Sequence, residues 1–286
     1  MIFDAHCHAW DRWPYKPEVP DPEGRGRAEN LLWEMDSAGV PRAIVICASI
    51  AGNPENNAYA FGHAATAAGR LIPFADADSR WWPHHHTPGA AKRLTEIVAR
   101  FKPRGITHYM NEEADASWLL SPDGLAFAET AAGHRLILSL ACGPFQVPTV
   151  AKLAERVPTL PILLHHLARV RADVPRADSG LNHVLAAAKQ PNLFVKVSGF
   201  GYGLARDPWD FPLPAMLEIF HAIYDVYGPE RMMWASDYPV VNRFMTYRQS
   251  LEMVRSKCPF VTAADLDLIL GGTIERLLAG GRAEAP

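Results

Sequence analysis

The chain has 286 residues, 49% of them hydrophobic, which is enough to bury a sizeable core as one large α/β barrel or as two ordinary domains. Its 28 Lys and Arg against 31 Asp and Glu leave a formal net charge of -3, which gives no reason to expect nucleic acid or an anionic membrane as partner. The expected partner is a small molecule, with a homo-oligomer left open. No apolar run approaches the roughly 18 to 20 residues that span a bilayer, and no basic segment with a following apolar stretch opens the chain. Cys7, Cys47, Cys142 and Cys258 form no C-x-x-C pair, and the first three lie in or beside apolar runs. Buried thiols in a reducing, cytoplasmic setting are therefore expected.

In chain order the predicted strands are Ile2–Asp4, Ala43–Cys47, Leu71–Ala75, Gly105–Tyr109, Leu136–Leu140, Ile162–His165, Leu193–Val197 and Met232–Ala235. Helical spacing marks Ala28–Ala38, Glu55–Ala68, Gly89–Arg100, Pro122–Ala132, Pro148–Arg156, Leu181–Ala188, Pro214–Tyr227, Tyr247–Ser256 and Ala263–Leu270. Near-continuous apolar strands alternating with helices predict a single (β/α)8 TIM barrel over residues 1–286, its active site at the C-terminal ends of the strands. An open doubly wound sheet would advertise a Gly-rich first βα turn, and none follows the first strand. Three long loops, Asp11–Arg27, Asp78–Pro88 and Phe200–Pro214, would rise from the active-site face.

Polar residues gather at the predicted strand ends. The first strand leads into His6 and His8, which share a side if the chain stays extended, with Cys7 opposite. The sixth ends in His165 and His166, of which alternation would turn at least one away from the mouth. The seventh carries Lys196, and the eighth leads to Asp237. In a barrel these ends converge on one mouth. Imidazoles with a carboxylate suit zinc, manganese or iron(II), so His6, His8 and Asp237 are candidate ligands of one divalent cation. Singly each residue has a plain alternative: Asp237 as a turn residue, Lys196 as a half-exposed strand residue.

The chain resembles the amidohydrolase superfamily, in particular the amidohydrolase-related group and its lactonase-like branch. The D-x-H-x-H opening matches Asp4-Ala5-His6-Cys7-His8, with Trp10 trailing it; K-x-S-G matches Lys196-Val197-Ser198-Gly199, and S-D-W-P resembles Ser236-Asp237-Tyr238-Pro239. The strand-six motif aligns His166, not His165, with the family's functional histidine. Two departures stand out: no histidine ends the fifth strand, and no lysine candidate for carboxylation stands on the fourth. The Q-x-P segment Gln146-Val147-Pro148 is similar to the lactonase branch.

The resemblance implies hydrolysis of a small lactone or cyclic ester by an activated water. Asp237 is expected as general base, provided that burial raises its pKa. One divalent ion (zinc first, manganese second) is expected on His6, His8 and Asp237. Without a metal, these histidines and His166 would donate hydrogen bonds to the carbonyl oxygen, so metal-independent catalysis stays open. Lys196 and Arg169 are expected to bind a substrate carboxylate. Trp81 and Trp82, with His84–His86, either close the mouth as a lid or pack on its rim. The runner-up activity is non-oxidative, metal-dependent decarboxylation of an aromatic or unsaturated acid, which the missing fifth-strand histidine disfavours.

Overall fold

Short runs rich in Ile, Val, Leu and Phe, too short for buried helices, form the strands β1 (Phe3–Cys7), β2 (Arg42–Ile46), β3 (Leu71–Asp76), β4 (Gly105–Tyr109), β5 (Ile137–Ala141), β6 (Ile162–Leu164), β7 (Leu193–Val197) and β8 (Met232–Trp234). The structure, a computed structural model, describes residues 1–280 except 17, 113 and 205–210. Part of the expected Phe200–Pro214 loop thus lies outside the described residues.

The strands pair in parallel in the order β1 through β8. β1 meets β8 at the closing seam, where the Asp237 amide donates to the His6 carbonyl at 2.8 Å and the His8 amide to the Tyr238 carbonyl at 2.6 Å. Closure removes the sheet edges and rules out the open sheet. Helices between the strands, among them Ala28–Ala38, Ala90–Phe101, Pro122–Gly133 and Pro214–Tyr227, cover the outside. Among the described residues no helix is long and apolar enough to cross a membrane.

Inside the barrel Phe3, Ile44, Phe74, Leu163, Phe194 and Met233 make an apolar plug, sealed from below by Ile274 and Leu278. Those two residues belong to a helix, Thr273–Gly280, beyond the predicted end at Leu270. Gly271 and Gly272 suggest a stop, but the chain instead continues through a wide turn, Leu268–Gly272. At Gly271 a Cβ would stand 2.2 Å from the Met1 carbonyl oxygen, so glycine there permits close contact with the barrel floor.

Candidate active site

Strict alternation from Phe3 and Ala5, which face the plug, would also send Cys7 inward. A register shift between Asp4 and Cys7 prevents this: three steps along β1 match two along β2. The bulge re-aims the strand end, as such insertions do near active sites. Cys7 joins the core between strands and helices, and His6 and His8 converge with Nε2 atoms 3.1 Å apart. Asp4 braces the bulge, accepting from the His6 amide at 3.0 Å and from the Ser236 amide and hydroxyl at 2.9 and 2.5 Å. Trp10 donates to the Ala48 carbonyl and lies stacked against the His8 ring, fixing its plane.

Asp237 follows β8 with a left-handed backbone, φ 61°, and His166 to Arg169 after β6 all carry φ between 52° and 56°. β6 stops at Leu164, so alternation does not govern the two histidines beyond it. Ring nitrogens of His6, His165 and His166 still lie within 4.8 Å of one another, but only His166 lines the cavity above them, while His165 is fully buried against the Ser139 hydroxyl. Gly199 makes this approach feasible, since a Cβ there would come 2.6 Å from both His166 and Tyr202.

The carboxylate of Asp237 is the focus. Its Oδ1 lies 3.6, 3.4 and 3.7 Å from the Nε2 atoms of His6, His8 and His166 and, although buried, accepts no hydrogen bond among the described residues. Its Oδ2 accepts from the Tyr202 hydroxyl at 2.7 Å. Burial alone would raise the Asp237 carboxyl, but His166, His8 and Tyr202 outweigh it and hold it below the usual range. The raised pKa expected from the sequence is thus corrected: Asp237 is ionised. Burial pushes His166 down to about 3, so this imidazole is neutral.

The outer nitrogens are also held. His8 Nδ1 faces the Ile46 carbonyl at 2.7 Å, and His166 Nδ1 faces the Ser198 hydroxyl at 2.9 Å. A carbonyl only accepts, so His8 carries a proton on Nδ1 and turns Nε2 toward Asp237. An unpartnered carboxylate oxygen facing such nitrogens, with the imidazoles oriented from behind, is the donor set that a divalent cation requires. His6, His8 and Asp237 have ligand atoms within 4.8 Å of one another and fit such an ion.

Lys196 is placed differently from the expected substrate contact. It is fully buried, donates to Ser139 Oγ at 2.6 Å and reaches His6 Nδ1 at 3.2 Å. Burial pulls it down to about 7. It supports His6 from behind rather than lining the mouth. β5 contributes Ser139 to this support, and the Ser139 hydroxyl meets His165 Nε2 at 2.7 Å.

Above the cluster is a cavity of about 170 Å³ lined by His8, Tyr15, Arg80, Trp81, Tyr109, His166, Arg169, Tyr202, Asp237 and Arg243, with Ala48, Ile50 and Ala141. Of the expected substrate-binding residues Arg169 and Trp81 are here. Trp82 is not: it lines a separate groove with Asp78, His84 and Arg93. Trp81 is anchored to Asp76 Oδ2 at 2.6 Å, while His85 and His86 pack toward β4, so this loop forms a rim. Arg80 and Arg169 share Glu112, whereas Arg243 lies over Tyr15 and Phe244. Sequence reasoning missed Arg80, Tyr202 and Arg243. Arg80 adjoins Trp81 and Tyr202 follows the K-x-S-G motif by three residues, so both had a local signal. Arg243 had none. Gln146, which marked the lactonase-like segment, spans loops instead, donating to the Asn111 and Ala114 carbonyls at 2.8 and 2.7 Å.

A closed parallel barrel with imidazoles and a carboxylate gathered at the C-terminal ends of β1, β6 and β8 defines an enzyme of the amidohydrolase type, a hydrolase. The Amidohydro_2 family model, described as amidohydrolase, matches residues 3–279. The chain belongs to that family. It is 25% identical over 247 residues to an L-fucono-1,5-lactonase of Burkholderia ambifaria, covering 83% of this chain and 80% of the lactonase. A crystal structure of an amidohydrolase from Burkholderia multivorans with bound zinc superposes with a TM-score of 0.78 at 22% identity, over 98% of this chain and 99% of that one. A probable 2-pyrone-4,6-dicarboxylic acid hydrolase from Acinetobacter baumannii, with citric acid bound, gives 0.72 at 18% identity, over 97% and 98%.

Proposed function

We propose that the protein hydrolyses a small, oxygen-rich lactone to the open-chain hydroxy acid. The observation that carries this reading is the orphaned Asp237 Oδ1, ringed by three imidazole nitrogens at the floor of an arginine-rimmed cavity. The cavity falls below the roughly 300 to 1,000 Å³ of drug-sized sites, which suits a single substituted ring. The similarity to the fuconolactonase and to the pyrone-dicarboxylate hydrolase, both named for ring-ester or ring-lactone substrates, supports this class.

His6, His8 and Asp237 would hold one divalent ion, zinc first and manganese second. When bound, such an ion polarises an ester carbonyl and lowers the pKa of water toward about 7. The protein's own groups do the rest. The ionised Asp237 carboxylate accepts the proton of the attacking water as the water oxygen bonds to the carbonyl carbon. The Ser198 hydroxyl can rotate to donate to His166 Nδ1, which places a proton on Nε2 for the developing oxyanion. The ring C–O bond then breaks, and the proton held by Asp237 returns to the leaving alkoxide. Arg80, Arg169 and Arg243 would orient hydroxyl or carboxylate substituents. Decarboxylation is disfavoured because β5 brings only Ala141 to the cavity, so that strand supplies no imidazole or acid there.

The test is acid release from a panel of aldonolactones and pyrone carboxylates, before and after chelation, with metal content measured on untreated protein. Chelator-sensitive ring opening that falls at least ~100-fold in Asp237→Asn is expected, the size of losing a central electrostatic group. Release of carbon dioxide from an aromatic acid, with every lactone intact, would overturn it.

A further inference from the structure

A second histidine cluster lies outside the mouth, between the β3–β4 connection and the outer face of β4. His108 is on β4, fully buried, with Nδ1 2.9 Å from the Ala77 carbonyl. His85 Nδ1 is 2.6 Å from the Asp78 carbonyl. Both carbonyls can only accept, so both rings carry a proton on Nδ1, which leaves Nε2 as the ligand atom each can offer. His86 completes the set, its Nε2 3.1 Å from His108 Nε2, its ring flat against Trp118 at 3.9 Å and 7°, and its amide donating to Asp78 Oδ2 at 3.0 Å. The ligand nitrogens of all three lie within 4.8 Å of one another.

Without a cation this arrangement does not balance. His86 can offer one N–H to the His108 lone pair, which leaves Nε2 of His85 unused. His85 Nε2 is buried and without a hydrogen-bond partner among the described residues. Backbone carbonyls behind two of the imidazoles are the usual orienting groups of metal-bound histidines. Tetrahedral zinc with nitrogen ligands near 2.0 to 2.1 Å separates them by ~3.4 Å. The His86 and His108 Nε2 atoms, 3.1 Å apart, would open slightly, and the His85 ring, stacked on His86 at 3.5 Å and 28°, would turn to aim its lone pair at the ion.

We propose that His85, His86 and His108 form a second metal site for a zinc-class divalent ion, with its fourth position open to water, that pins the 77–88 loop to β4. Three neutral imidazoles select Zn²⁺, Co²⁺, Ni²⁺ or Cu²⁺ over Mg²⁺ or Ca²⁺. The same loop carries Arg80 and Trp81 to the mouth, so the ion would set one wall of the cavity without touching substrate.

The test is zinc stoichiometry by equilibrium dialysis of metal-depleted protein, with the visible spectrum of the Co²⁺-loaded form as a second readout. The His6→Gln/His8→Gln double variant should still bind one equivalent. Adding His85→Gln should abolish that equivalent or weaken it at least tenfold, together with its cobalt band. In the otherwise native chain, His85→Gln should remove one equivalent, a result that does not depend on the double variant folding. A folded His85→Gln protein with unchanged stoichiometry and cobalt spectrum overturns the proposal.

Discussion

Asp237 and the four residues His166 to Arg169 hold left-handed backbone conformations, which cost non-glycine residues about 1 to 2 kcal/mol each. These five lie at the two strand ends that supply the carboxylate and the histidine facing it, where strain is tolerated because neighbouring groups fix the geometry. The role of His166 is testable at this scale. His166→Ala should lower kcat by about 10² to 10³ with little change in KM, because an oxyanion donor acts in the transition state. Ser198→Ala should follow in the same direction with a smaller loss, since it removes the group behind Nδ1. Steady-state kinetics on a lactone that the wild type opens would show this; unchanged kcat in His166→Ala would remove the residue from the mechanism. The identities of His6, His8, His166 and Asp237 were legible from spacing and motif. The suppressed pKa of Asp237 was not, because it depends on Tyr202 and two imidazoles that only the fold brings near.

At the scale of elements, the bulge in β1 and the terminal helix Thr273–Gly280 position everything above them. The helix closes the barrel floor through Ile274 and Leu278, at opposite ends of one helical turn and both buried. Ile274→Ala should therefore cost about 2 to 5 kcal/mol, the range for deleting a large aliphatic side chain from a packed core. Urea unfolding would measure it, and a change below about 1 kcal/mol would mean that the helix does not seal the barrel. This helix was hidden from the sequence reading because a Gly-Gly pair is locally a stop signal. Its continuation is decided by the close fit of Gly271 against Met1. Strands β2 to β8, by contrast, lie within one residue of their predicted ends, because buried parallel strands announce themselves as apolar runs.

At the scale of the whole molecule, burial of imidazoles makes stability depend on pH. His86, His108 and His166 are lowered to about 3 to 4 from the ordinary 6.5 by burial. As pH falls below about 6.5 the unfolded chain takes up protons that the native protein refuses until it reaches those lower values. Stability is thus full above that pH and is lost progressively between about 6.5 and 3. Fully buried His108 alone contributes about 3 kcal/mol at the acid end of its window. Asp4, pushed up to about 6 by burial, works in the opposite sense between 3.8 and 6, as does buried Asp76, while buried His6 and His165 are lowered like the other imidazoles. In chelator-treated protein the urea midpoint should fall steadily from pH 7 to 4, and a flat midpoint over that range would contradict the histidine assignment.

The sequence by itself determined the alternation of apolar strands and helices, hence the barrel, and it determined which residue types stand at the strand ends. These follow from local periodicity and short motifs, which a chain carries in its own order. The tertiary structure decided what those ends do together. It turned Cys7 out and both histidines in through a bulge, buried Lys196 beneath His6, sent Trp82 away from the mouth, and drew His108 toward His85 and His86. Each outcome depends on contacts between segments far apart in the chain, and no local pattern encodes the direction of a side chain once a strand has ended.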